Sequence, residues 1–81
     1  MKFMDVHDGM KGITQEQLAA EHQKDVDAQR GTEVRFQEAW VDPKAGKVFC
    51  LSEGPSRDEV LAVHLKAGHK PDEIYEVLEV R

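Results

Sequence analysis

Cysteine is nearly absent: Cys50 is the only one in 81 residues. An internal disulfide is therefore impossible, and a zinc site built from paired cysteines is excluded with it. No apolar run comes near the roughly 18 residues that mark a spanning helix, so no membrane span is expected. Basic charge is also short, with eleven Lys and Arg against sixteen Asp and Glu and a net charge of −5. Nothing here would neutralise a run of phosphates, which argues against a nucleic-acid partner. The opening Met1-Lys2-Phe3-Met4-Asp5 has charges inside it and neither an apolar core nor a small-residue cleavage site. It does not read as a signal peptide, and a cytoplasmic location is the expectation. Glycine-rich phosphate loops, nucleophile elbows and cofactor fingerprints are missing too, as are repeats and low-complexity tracts.

What remains is a short, acidic, well-mixed sequence. Its apolar content is 40% and its charged content 33%, neither of which suggests disorder. One domain over residues 1–81 is expected. At this length folding buries only roughly 60–65% of the unfolded surface, so a lone monomer is marginal. With disulfides excluded, the staples left are a metal or a partner subunit.

Turn and cap signals divide the chain into six elements. Residues 2–8 alternate loosely and stop at Gly9. Thr14 and Gln17 form a capping box for a helix to about Arg30, closed by Gly31. Residues 33–41 carry Val34, Phe36, Trp40 and Val41, a strand composition, and residues 42–46 are a turn. Residues 47–53 form the most strand-like run, stopped by Gly54-Pro55. Ser56 and Glu59 open a second helix to about Ala67, terminated by Gly68, and Pro71 bars its resumption. Residues 73–80 are the last strand. The order βαββαβ predicts an α+β ferredoxin-like sandwich, a four-stranded antiparallel sheet with both helices on one face.

The central hairpin predicts which side chains share a face. If Asp42 pairs with Lys47, then Trp40 faces Phe49, Glu38 faces Leu51 and Phe36 faces Glu53, to within a bulge. The slimmer set, Val41, Val48, Ala39, Cys50, Gln37 and Ser52, goes beneath the helices. Phe3, Tyr75 and Val77 then join the aromatic side, with Met4 and Val6 turned to the helices. An apolar patch of that size marks an interface. The expectation is a homodimer through the open sheet face, of the dimeric α/β-barrel type.

The same alternation sets Asp5, His7, Glu38 and Glu53 among those aromatics. Buried carboxylates need a partner, and the basic residues near in register, Arg35 and Lys47, alternate to the other side. A divalent cation such as Ni²⁺, Zn²⁺ or Mn²⁺, held by one imidazole, carboxylates and water, would satisfy the group. The alternatives are solvated strand ends, for Glu53 and His7 above all, or a buried polar network.

The other candidates are weaker. His22 and Asp25 are three apart on the first helix and share a face, with Leu18 and Val26 flanking His22. A structural His22–Asp25 bond at the core edge and a second metal or proton-transfer site are both open. His64 lies near the inner face of the second helix and His69 just past its end, where a cation is favoured by the helix dipole. They could chelate together only if the chain curls back, and otherwise read as structural or surface histidines. Cys50, mid-strand beneath the helices, reads as a small hydrophobe.

Several of these residues also carry a family resemblance. The run Val48-Phe49-Cys50-Leu51-Ser52-Glu53-Gly54-Pro55-Ser56, with Val63-His64, Ala67-Gly68-His69, Asp72-Glu73-Ile74 and the opening Phe3-Met4-Asp5-Val6-His7, resembles a family of small bacterial proteins. That family, a domain of unknown function, includes a nickel-binding member. The resemblance covers nearly the whole chain and implies a ferredoxin-like dimer that binds nickel, for sequestration or delivery. It implies no ligand list, so the expected ligands rest on alternation: His7, Asp5, Glu38 and Glu53, then His22, His64 and His69. A second reading is a small dimeric α/β-barrel enzyme with a helix–sheet pocket around His22, Asp25 and Cys50. A third is an interaction module without catalysis, and a non-enzymatic role is favoured.

Overall fold

Helix α1 (Gln15–Ala28) begins as its sequence dictates. The Thr14 hydroxyl accepts the Gln17 N–H at 3.1 Å, and the Gln17 side-chain oxygen accepts the Thr14 N–H at 3.0 Å. Helix α2 (Arg57–Lys66) is capped by Ser56, whose hydroxyl accepts the Glu59 N–H at 3.2 Å. The computed structural model describes residues 1–81 and adds four strands: β1 (Lys2–His7), β2 (Arg35–Asp42), β3 (Lys47–Glu53) and β4 (Glu73–Val77). They form one antiparallel sheet in the order β2-β3-β1-β4, the ferredoxin-like arrangement that the element order predicts. No helix is long and apolar enough to cross a membrane.

The helices cover one face of the sheet. One apolar cluster joins Phe3, Val34, Phe36 and Ile74 to Ala28, Val60 and Val63. A second joins Val48 and Cys50 to Leu18 of α1. Burying side chains of this size contributes about 1.5–3 kcal/mol each.

Three expectations about the strands need correction. The pairs Trp40–Phe49, Glu38–Leu51 and Asp42–Lys47 form as read, but a bulge between Phe36 and Glu38 pairs Phe36 with Ser52. The extra residue at Gln37 turns Phe36 into the core, where it is 7% exposed. The face assigned to β1 is reversed. Phe3, Asp5 and His7 stand opposite Ser52, Cys50 and Val48, so they face the helices, and Met4 and Val6 take the open side. Phe3 wins that competition because its ring fills the space between sheet and helices, where it is 1% exposed. Finally, β4 ends at Val77 instead of reaching Val80. Val77 pairs with Lys2 at the start of β1, so there is no strand left to hold Leu78 and Val80, which are exposed.

The open face carries Met4, Phe49, Leu51, Trp40, Tyr75 and Val77, with Trp40 46% and Tyr75 49% exposed. No element of the chain covers it. This is the aromatic face that the hairpin register predicts, without Phe3 and Phe36.

Candidate functional site

Reversing β1 sends Asp5 into the interior, at the seam between the apolar clusters: it follows Phe3 on the same face and stands opposite Cys50. Asp5 is 0% exposed and Asp25, from the inner side of α1, is 3% exposed. Between them lies His64 of α2, also 0% exposed. Its Nε2 is 2.9 Å from Asp5 Oδ2 and its Nδ1 is 3.2 Å from Asp25 Oδ1. Despite these distances neither ring nitrogen is aligned for a hydrogen bond, and Asp5 Oδ1 is unpartnered as well. The edge of the ring meets Phe36, with centroids 4.6 Å apart, and His7, at 5.3 Å. His7 Nε2 lies 2.7 Å from Asp5 Oδ2.

His69 arrives by a local device. Gly68, at φ +85°, takes the left-handed conformation that ends α2. The His69 N–H then donates to the His64 carbonyl at 2.8 Å, and the Gly68 N–H to that of Leu65 at 3.0 Å. This paired closure is the Schellman turn. It folds the chain back so that His69 Nδ1 lies 3.1 Å from Asp25 Oδ1, while Nε2 meets the Glu21 carboxylate. Glu21 and Asp25 are four apart on α1 and reach the same ring from one helix face.

The electrostatics follow from burial against charge. Burial alone would push the His64 pKa down, but the Asp25 and Asp5 carboxylates on either side outweigh it and push it up to about 9. Burial would raise the Asp5 pKa, yet His64 and His7 together hold it below the ordinary value. In the metal-free protein His64 is therefore a cation between two anions near neutral pH. Cys50 is the opposite case. Burial, then the charges of Asp5 and Asp25, push its thiol far up, so it is no thiolate nucleophile.

Two ligand sets share His64. Asp5, His7 and His64 each offer a ligand atom, all within 4.8 Å of one another, and so do Asp25, His64 and His69. Both sets open onto a cleft of about 490 Å³ between α1, the β1–α1 loop and the sheet. Its polar wall includes His7, Glu21, His22, Asp25 and His69, and its apolar wall Met10, Ile13, Leu18 and Val48. The loop is tied to the β2–β3 turn: the Met10 N–H donates to the Gly46 carbonyl at 2.8 Å, and Lys47 Nζ lies 2.6 Å from Asp8 Oδ1. A side chain at Gly46 would come within 2.9 Å of the Lys11 backbone nitrogen, so the close approach requires glycine.

The expected ligands thus divide. Asp5 and His7 come together, but with His64 and His69 instead of Glu38 and Glu53. Those two carboxylates are exposed and pair in register with Leu51 and with Arg35 and Lys2, on the other side of the sheet. Glu53 accepts a hydrogen bond from Gln37 at 2.9 Å. His22 lines the cleft, but no bond to Asp25 forms and its Nδ1 is buried without a partner. Asp25 serves His64 and His69 instead. Glu21 escapes the sequence reading, although its i, i+4 relation to Asp25 was the available signal.

A family model described as "Nickel responsive protein SCO4226-like" matches residues 3–77. The crystal structure of SCO4226 from Streptomyces coelicolor A3(2) superposes with a TM-score of 0.94 at 51% identity, covering 100% of each chain. No curated protein matches significantly.

Proposed function

Because the chain belongs to the SCO4226-like family of nickel-responsive proteins, we propose that it binds nickel in the buried cluster around His64, as a homodimer, for sequestration or delivery. The observation that carries this reading is His64 itself. Its nitrogens sit 2.9 and 3.2 Å from carboxylate oxygens without hydrogen-bond alignment. Donor atoms that converge on one ion are spaced differently from a donor and its acceptor. With metal–ligand bonds of about 2.1 Å, neighbouring ligands of an octahedron stand about 3.0 Å apart and need not point at each other. Mixed imidazole and carboxylate donors suit a borderline divalent ion such as Ni²⁺.

His7, Asp5 and His64 would hold the ion, with water or a solute entering from the cleft. The cluster is shielded from bulk water, a feature suited to retaining an ion more than to turning over substrate. The homodimer is supported by the uncovered face of Trp40, Phe49, Leu51 and Tyr75, which a second copy would bury about a two-fold axis.

Isothermal titration of metal-free protein with nickel chloride, wild type beside His7→Ala, tests the reading. His7 is only half-buried, so the variant should remain folded. We expect near-stoichiometric binding in wild type and at least tenfold weaker binding in the variant. Wild-type binding no tighter than millimolar would remove the proposal.

One observation favours a second reading, a small acid–base enzyme: the cleft beside His22, Asp25 and Cys50 is large enough for a small substrate. With the Cys50 thiol held protonated, proton transfer would fall to His22, His7 or His69. Displacement of a bound small molecule from the cleft by His22→Ala, with nickel binding unchanged, would support it.

A further inference from the structure

We propose that the space beneath α1 is a binding site for a small uncharged aromatic alcohol, a ligand of the phenol or naphthol class. The inference goes beyond the nickel reading and does not rest on it. Packing carries it first. The layer between helices and sheet is well filled on one side only. Around Phe3 and Phe36 seven apolar side chains are buried together, whereas beneath α1 only Leu18, Val48 and Cys50 are. Met10, Ile13, Ala39 and Val41 lie against that smaller cluster and stay half-buried.

Close-packed interiors leave few voids larger than a water molecule. Here the cleft of about 490 Å³ has a counterpart of about 490 Å³ on the other flank of α1, over the edge strand β2. Leu18 and His22 line both, so these two side chains stand between the hollows. Each has the volume of a small-molecule site. The sheet beneath them is slim: Ala39 pairs with Cys50 and Val41 with Val48, which leaves a flat apolar floor under the helix.

The polar groups define the rest of the ligand. His22 Nδ1 is buried without a partner. An unmade buried hydrogen bond is costly, and an occupant that bonds to this nitrogen removes that cost. A hydroxyl both donates and accepts, so it satisfies either tautomer of the ring. The other imidazoles on the cleft wall are engaged, His7 with Asp5 and His69 with Asp25 and Glu21. Charge on the ligand is disfavoured in either sign. The carboxylates bordering the two hollows, Glu21, Asp25 and Glu38, outnumber the single lysine, Lys11, so an anion enters against the field. In the cleft an ammonium finds Glu21 and Asp25 already held by His69, with Lys24 on Glu21 as well. The flat floor and the Met10 thioether favour an aromatic body.

The test uses the full chain, kept metal-free by a chelator, and naphthol as the probe, followed by its fluorescence anisotropy. Naphthoate adds a charge to the probe, and methoxynaphthalene removes its O–H donor. Wild type should bind naphthol saturably, one per chain, at micromolar concentration, and naphthoate about tenfold more weakly or worse. His22→Ala should weaken naphthol about tenfold or more and abolish its advantage over methoxynaphthalene. Ala19→Trp, at an exposed position on the rim of the second hollow, leaves the core and His22 in place and should weaken binding by filling the space. Amide NMR shifts on adding naphthol should centre on Ile13, Leu18, Ala39 and Val48. No saturable binding below millimolar, naphthoate bound more tightly than naphthol, or unchanged affinity in both variants would overturn the site. Shifts confined to Trp40, Phe49 and Tyr75 on the open sheet face would overturn it too. Each of these failures leaves the nickel reading standing, because the nickel titration is read without naphthol.

Discussion

Raising the pH of the metal-free protein should loosen it, and His64 sets the scale. Its pKa is about 9 in the fold and about 6.5 in an unfolded chain. The folded value is the higher one, so the stabilisation is fully present below pH about 6.5 and is lost as pH rises through about 9. A gap of about 2.5 units corresponds to about 3 kcal/mol, undiminished by solvent because the ring is buried. For a domain of this size that is a fall in Tm of roughly 10–20 °C. The groups facing the ring are Asp5 and His7 from β1, Asp25 from α1 and, beyond Gly68, His69. Asp5 is held low, so its contribution is lost only under acid and stays constant across this window. The Cys50 thiol is raised by burial, and its own smaller loss begins only where an unfolded thiol ionises, near pH 8.5. Thermal melts by circular dichroism between about pH 6 and 9, with a chelator present, read the effect in wild type and in Cys50→Ala. A Tm that moves by less than about 3 °C in both would refute the picture of a cation held between two carboxylates.

Three further outcomes follow from particular contacts. Asp25→Asn removes the anion shared by His64 and His69 and should cost about 3–5 kcal/mol in urea unfolding of the metal-free protein, because His64 loses a partner it cannot replace with water. Gly68→Ala forces a side chain into the left-handed region and should cost about 1–2 kcal/mol in urea unfolding; unchanged stability would mean that the turn after α2 does not depend on glycine. Trp40→Glu places a charge on the uncovered sheet face and should convert the proposed homodimer to monomer in sedimentation velocity, leaving the far-ultraviolet spectrum intact.

Local signals carried most of the fold. Two N-caps, the glycines ending each helix and the Asp42–Gly46 turn define six elements, and their order leaves few topologies. The hairpin register was legible because both strands alternate cleanly and the turn pins them. The face of β1 was not. Phe3, Asp5 and His7 alternate against Met4 and Val6, and either set could pass for the buried one. Only the volume of Phe3 and the positions of His64 and Asp25 decide between them, and these depend on helix packing that no local pattern encodes. The bulge at Gln37 is similar: nothing in Phe36-Gln37-Glu38 announces it, and the space for the Phe36 ring between the helices does.

The candidate site shows the same division. Asp5 and His7 could be named as residues needing a counter-charge, which is a local inference. That the counter-charge is His64, more than fifty positions away, depends on α2 lying across β1. The return of His69 through Gly68 was half-visible: the glycine marked the helix end, but the direction of the turn emerges only with the Schellman hydrogen bonds. Glu38 and Glu53 were drawn into the expected ligand set by a face assignment that β1 does not follow.

The central claim is that nickel sits inside the helix–sheet layer, against His64, and anomalous diffraction tests it most directly. Crystals of metal-free protein soaked in nickel chloride, measured on both sides of the nickel absorption edge, locate the ion without reference to any ligand model. The account predicts anomalous density between Asp5, His7 and His64. Density confined to exposed carboxylates on the protein surface, with the interior empty, would contradict it.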